Sequence, residues 1–168
     1  MKKIVNTILM FVLSSLSLSA ASLTATFTDD IWKKIMVPKT EVCSNFNTKV
    51  GSTPSITLEN LPADTTKILL AYSDESFKGM SVGGHGVVSY TIPKNSSTII
   101  IPSMKGETFD LPENFSSVVK HRGEKFGKTP GAYLAPCSGG KEHVYSVLIK
   151  ALDEDKILDS ASLTLGIF

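Results

Sequence analysis

The chain carries almost no net charge: 17 Lys and Arg residues stand against 16 Asp and Glu residues, +1 over 168 residues. Such a domain has no field with which to draw in nucleic acid or an acidic lipid surface, so no nucleic-acid partner is expected. Cysteine is scarce, with Cys43 and Cys137 the only two, and Trp32 is the single tryptophan. No Gly-x-Ser-x-Gly elbow occurs, which leaves a serine hydrolase resting on Ser138 being near His143 in sequence, and Ser138 reads equally well as a turn residue. The phosphate loop of nucleotide-binding enzymes is also missing. Gly123-Glu124-Lys125-Phe126-Gly127-Lys128-Thr129 is one residue short of that spacing and meets Pro130 where a helix would have to begin. No fixed-spacing pair of metal ligands is found, and there are no internal repeats or low-complexity tracts. No cofactor is expected.

What is present begins with an export signal. Lys2 and Lys3 precede an apolar run from Ile4 to Leu18 that closes on Ser19-Ala20-Ala21, small residues suited to a signal-peptidase site. The run is too short, and too soon followed by polar sequence, for a membrane anchor. Residues 1–21 are read as a bacterial signal peptide and residues 22–168 as one domain, periplasmic or secreted. Loss of Lys2 and Lys3 leaves 15 basic against 16 acidic residues, a charge of −1. An even cysteine count in an oxidising compartment makes a Cys43–Cys137 disulfide the expectation, with two separately buried thiols as the alternative. Lys120, His121, Arg122, Lys125 and Lys128 form the one basic cluster, either a solvated loop or a rim that attracts anions.

Short runs rich in Val, Ile and Thr, separated by turns, predict a mainly β sandwich with few short helices. Strands are expected over Ser55–Leu58, Lys67–Tyr72, Val87–Pro93, Ser97–Pro102 and Ala161–Phe168. Phe27, Ile31, Trp32, Ile35 and Met36 fit a short amphipathic turn capped by Thr28-Asp29-Asp30, with Trp32 as a core anchor. Asn45–Pro54 and most of Leu111–Lys128 read as loop. The most strand-like stretch follows His143. There Val144, Ser146, Leu148 and Lys150 alternate with Tyr145, Val147 and Ile149, and apolar residues on both faces predict a central, buried strand.

Gly131–Asp153 resembles the signature of the phosphatidylethanolamine-binding protein family, in its bacterial, Raf-kinase-inhibitor-like branch. That family has a Gly-Tyr-x-x-Pro-Cys loop, a Gly-x-His-x-Tyr strand and an Ala-Leu-Asp end. Here these positions read Ala132-Tyr133, Pro136-Cys137, Gly140, His143, Tyr145 and Ala151-Leu152-Asp153. The resemblance extends along most of residues 22–168. It makes Cys43, after Val37-Pro38-Lys39, the family's early cysteine, and His85 its first pocket histidine. A buried strand would deliver Ser73, Asp74 and Glu75 to the ligand site. Ser73 stands where an aspartate is usual, and a one-residue slip would give that place to Asp74. Ser44 replaces a second family acid. Gly83, Gly84 and Gly86 replace a tryptophan-rich neighbourhood, which suggests a wider, more mobile mouth. The helix that relatives carry after Ala-Leu-Asp is absent, leaving one side of the pocket open, where a second copy of the chain could cover it as a homodimer.

The resemblance implies a phosphatidylethanolamine-binding-protein-like β-sandwich that binds a small anion, phosphate or phospholipid headgroup, and that modulates another protein in some members. The residues agree with a binding module that needs no nucleophile and is not an enzyme. His85 and His143 can donate ring N–H bonds and gain charge near pH 6.5. The loop Pro136-Cys137-Ser138-Gly139-Gly140 can aim backbone amides at an anion, and Tyr145 or Tyr133 can supply a hydroxyl and an aromatic wall. One alternative is an interaction or inhibitor protein with a vestigial pocket and an envelope or extracellular protein partner. A lower one is a hydrolase, either through Ser138 or through a zinc held by His85, His143 and Asp74 or Glu75.

Overall fold

The computed structural model describes residues 21–168. Of the signal-peptide reading, residues 1–20 lie outside the described residues. The fold is mainly β, with two antiparallel sheets and two short 3-10 turns. One sheet has three strands in the order β1 (Thr24–Phe27), β2 (Ile56–Glu59) and β5 (Thr98–Ile101). The other has five, in the order β6 (Phe115–Val119), β4 (Gly86–Thr91), β3 (Lys67–Asp74), β7 (Val144–Asp153) and β8 (Lys156–Ile167).

Period-two alternation sends one face of each strand into a shared core. Ile56 and Leu58 of β2 and Ile101 of β5 meet Ile68, Leu70 and Tyr72 of β3, Val88 of β4, and Val147, Ile149 and Ala151 of β7. Trp32 is buried in this core at the end of the turn Asp30–Trp32, as its size predicts. The rest of that segment does not follow it inward: Ile31, Ile35 and Met36 are exposed, and Asp29 makes no side-chain cap. The amphipathic turn is therefore a single anchored tryptophan.

Two strands form where none was expected, β1 near the start of the described residues and β6 within the stretch read as loop. β1 is an edge strand with only Ala25 and Phe27 half buried, and β6 buries Phe115 alone, so neither shows a clear hydrophobic period. β7 also departs from expectation. It lies between β3 and β8, and Tyr145, Val147, Ile149 and Ala151 on one face are buried, but on the other face Leu148 is 41% exposed and only Leu152, at the end of the strand, is buried. The chain reverses directly from β7 into β8 through Glu154-Asp155, with Glu154 at φ 52° and no intervening helix.

Cys43 and Cys137 are disulfide-bonded, with Cα atoms 5.3 Å apart and a separation of 94 in sequence. Cys43 is fully buried, and its amide donates to the Pro136 carbonyl at 3.0 Å beside the bond. Closing so long a loop removes much unfolded-state freedom, and in the chain-entropy model is worth about 4–5 kcal/mol. The Cys43→Ser/Cys137→Ser variant should lose stability of that order in urea unfolding, and denatured wild type without reductant should expose no reactive thiol.

Candidate functional site

The inward face of β3 continues past the apolar core. After Ile68, Leu70 and Tyr72 its next inward position is Asp74, 3% exposed and opposite Tyr145 of β7. A buried carboxylate without partners would be costly. Asp74 has partners for both oxygens: Oδ2 accepts from His143 Nδ1 at 2.7 Å, and Oδ1 accepts from the Ser76 amide at 2.9 Å. His143 sits one residue before β7, exchanging backbone hydrogen bonds with Phe168 at 2.9 and 3.0 Å. Since Nδ1 donates to Asp74, the other ring nitrogen is left for the space in front of the pair.

His85 arrives from the opposite side, at the end of the turn that precedes β4. That turn folds back over β3, with the Asp74 amide donating to Met80 O at 3.1 Å. Arg122 clamps it from outside, donating to the carbonyls of Ser81 and Val82. Glycine is required on both sides of His85. A Cβ on Gly84 would lie 2.3 Å from Met80 backbone, and one on Gly86, at φ 116°, would lie 2.0 Å from Ala132 O. The glycines that suggested a mobile mouth are thus close-approach glycines that seat His85 against the segment Ala132–Leu134. The His85 carbonyl accepts from the Leu134 amide at 2.9 Å, and its Nδ1 donates to the Leu134 carbonyl at 2.7 Å. The His85 ring meets Tyr145 edge to face at 5.2 Å.

Asp74, His85, His143 and Tyr145 line one cavity of about 340 Å³. Cys137 and Ser138 close one side, Phe77, Met80, Phe126 and Leu134 form an apolar wall, and Lys128 and Lys141 bring two ammonium groups. The cavity therefore offers cationic and neutral donors, one buried carboxylate and an apolar surface together.

Other residues expected here are elsewhere. Ser73 faces the far side of β3 and accepts from the Gly83 amide through Oγ, so the strand presents Asp74 and not Ser73 to the cavity. Glu75 takes the Ser146 hydroxyl, away from the cavity. Tyr133 is buried behind the site, 4.7 Å from the Tyr72 ring. Pro136 O is taken by Cys43, and Gly139, at φ 73°, turns the loop against Phe46. The Cys137 amide, an expected anion donor, donates instead to Tyr145 Oη at 3.1 Å. The Ser138 hydroxyl donates to Phe168 O and is not hydrogen-bonded to His143. Among the described residues no group of three or more His, Cys, Asp or Glu side chains could hold a metal ion, so the expected zinc alternative lacks its ligand set.

The basic cluster divides as well. His121 is buried, with Nδ1 accepting from Gly123 and Nε2 donating to Thr129 O. Lys120 pairs with Glu124 and Arg122 clamps the turn, so of the cluster's members only Lys128 lines the cavity. Sequence reasoning missed Lys141 and the wall of Phe77, Met80 and Leu134. Lys141 lies inside the Gly140–His143 stretch that drew attention, but a lone lysine in a loop carries no period.

The two site histidines differ electrostatically. Burial pushes the His85 pKa down from 6.5 to about 4, against the opposing pull of its Leu134 hydrogen bond and the Asp74 charge. The expectation that His85 gains charge near pH 6.5 is corrected by its burial. No family model and no curated protein matches the chain.

A lowered histidine pKa means that the unfolded chain binds the proton first. His85 should cost no stability above pH 6.5, and about 3 kcal/mol should be lost as pH falls from 6.5 to about 4. Urea unfolding between pH 7 and pH 4 measures this. His85→Asn should show a shallower pH slope than wild type, whatever Asp74 contributes to both.

Proposed function

We propose that this chain is an exported, non-catalytic binding protein of the phosphatidylethanolamine-binding type, whose cavity takes a small oxyanion carried on an apolar group. The observation that carries the reading is the convergence of Asp74, His85, His143, Lys128 and Lys141 on one cavity of about 340 Å³ with an apolar wall. The ends of β3 and the starts of β4 and β7 supply the histidines and aspartate in the order that the resemblance implies. The disulfide fits an oxidising compartment. Among the described residues no helix is long and apolar enough to cross a membrane.

The charged donors of the site are Lys128, Lys141 and, when protonated, His143. Asp74 holds the His143 ring so that one nitrogen faces the cavity, and Tyr145 forms the floor. The wall of Phe77, Met80 and Phe126 accepts the organic part of a ligand. A phosphate ester satisfies all three surfaces better than a bare inorganic ion. The Asp74–His143 pair has the form of a general base, but no hydroxyl is hydrogen-bonded to it among the described residues, which favours binding over acyl transfer.

Thermal-shift titration with phosphate, phosphoethanolamine and acetate tests the reading. A ligand at 100 times its dissociation constant should stabilise the protein by about 2.7 kcal/mol. Lys128→Ala/Lys141→Ala should weaken phosphate compounds by tenfold or more and flatten the dependence on salt, because both lysines act through charge. Absence of any shift in the wild type would leave the cavity without this role and turn attention to a protein partner, sought by pull-down from envelope extracts.

A further inference from the structure

The donor and acceptor pattern of the cavity is not that of a purely cationic anion trap. His85 Nδ1 donates to the Leu134 carbonyl at 2.7 Å, so this nitrogen carries the proton. The residue is 3% exposed and its ring is neutral at ordinary pH, which leaves Nε2 with a lone pair. Nε2 has no hydrogen-bond partner among the described residues. Unlike the unpartnered Tyr133 Oη, it is not fully enclosed. The part of His85 that still reaches solvent therefore includes Nε2, and the residue lines the cavity.

The groups around His85 reinforce this polarity. Asp74 on β3 is close enough to raise the imidazole pKa, while His121 and Arg122 lower it, and burial outweighs all three. Tyr145 of β7 meets the His85 ring edge to face, and His143 beside it is tied to Asp74. A ligand oxygen pressed against His85 meets the Nε2 lone pair, within reach of the Asp74 charge. An oxygen that carries a hydrogen is welcome there, and a bare anionic oxygen is repelled.

We propose that His85 is a specificity-determining hydrogen-bond acceptor that selects oxyanions bearing an O–H group, phosphate monoesters above sulfate esters, while Lys128, Lys141 and His143 hold the remaining charged oxygens. The inference rests on the oxyanion reading of the cavity and adds its selectivity. Singly protonated phosphate monoesters and sulfate monoesters share shape and charge. They differ in one hydrogen. A sulfate ester would leave Nε2 facing an acceptor, and a buried site built around one hydrogen bond discriminates strongly against the analogue that lacks it.

Calorimetric titration of the disulfide-bonded protein with ethyl phosphate and ethyl sulfate at pH 5.5 tests this, since the second phosphate pKa of about 6 leaves most of the ester singly protonated. Ethyl phosphate should bind at least tenfold more tightly than ethyl sulfate. In His85→Gln, whose amide can rotate to donate, the ratio should fall below threefold. Should that variant not fold, ¹⁵N chemical shifts of wild-type His85 serve instead: Nε2 should appear unprotonated in the free protein and move when ethyl phosphate binds, with no such movement for ethyl sulfate. Equal affinity of wild type for the two esters would overturn the selectivity and leave the oxyanion pocket standing. Failure of both esters to bind would overturn the pocket and the selectivity together.

Discussion

The register between β3 and β7 is the constraint on which the site depends. It sets Asp74 opposite Tyr145 and Tyr72 opposite Val147. A strand's side chains alternate, so a slip of one residue would turn Asp74 to the outer face and bring Ser73 to the cavity. The core resists that slip, because the same shift would expose Ile68, Leu70 and Tyr72. Packing of three apolar side chains thus holds one carboxylate in place. Once Asp74 is inward, His143 at the mouth of β7 is its natural partner, and the 2.7 Å bond follows.

Around that pairing the chain builds walls from segments far apart in sequence. The Gly84-His85-Gly86 turn is pressed against Ala132–Leu134 so closely that side chains on either glycine would collide with backbone. The disulfide ties the loop carrying Cys137 and Ser138 to Cys43 and so steadies a third side of the cavity. Arg122 holds the turn from outside. The two histidines consequently have different natures. His143 is partly exposed and paired with a carboxylate, whereas His85 is buried, neutral and fixed in one tautomer by a carbonyl. A site that looks symmetric as a pair of histidines holds one aspartate-paired imidazole and one acceptor.

The mainly β character was legible because β2, β4 and β5 carry short runs of β-branched residues bounded by Gly, Pro or Asn, and because β3 and β7 are apolar stretches of strand length. β1 and β6 were not legible, since edge strands that bury one or two residues leave no period to read. His85, His143, Asp74, Tyr145, Cys137 and Ser138 were all visible as candidates, and all line the cavity. Tyr133 and Glu75 looked equally suitable, but alternation and turn geometry place one in the core and the other outside. The outer face of β7 looked apolar enough to be buried. Leu148 at its middle is exposed instead, because the two-residue turn at Glu154 brings β8 alongside as a neighbour in the same sheet.

By itself, then, the sequence determined the class of fold, the one pair of cysteines available for a disulfide and the stretch from which the candidate site is made. These depend on local pattern, residue type and count. Tertiary structure alone decided which of Ser73 and Asp74 faces inward, which lysines reach the cavity and which histidine is neutral. Each of those depends on burial and on neighbours brought from distant positions, and a side chain's charge is set by its surroundings as much as by its identity.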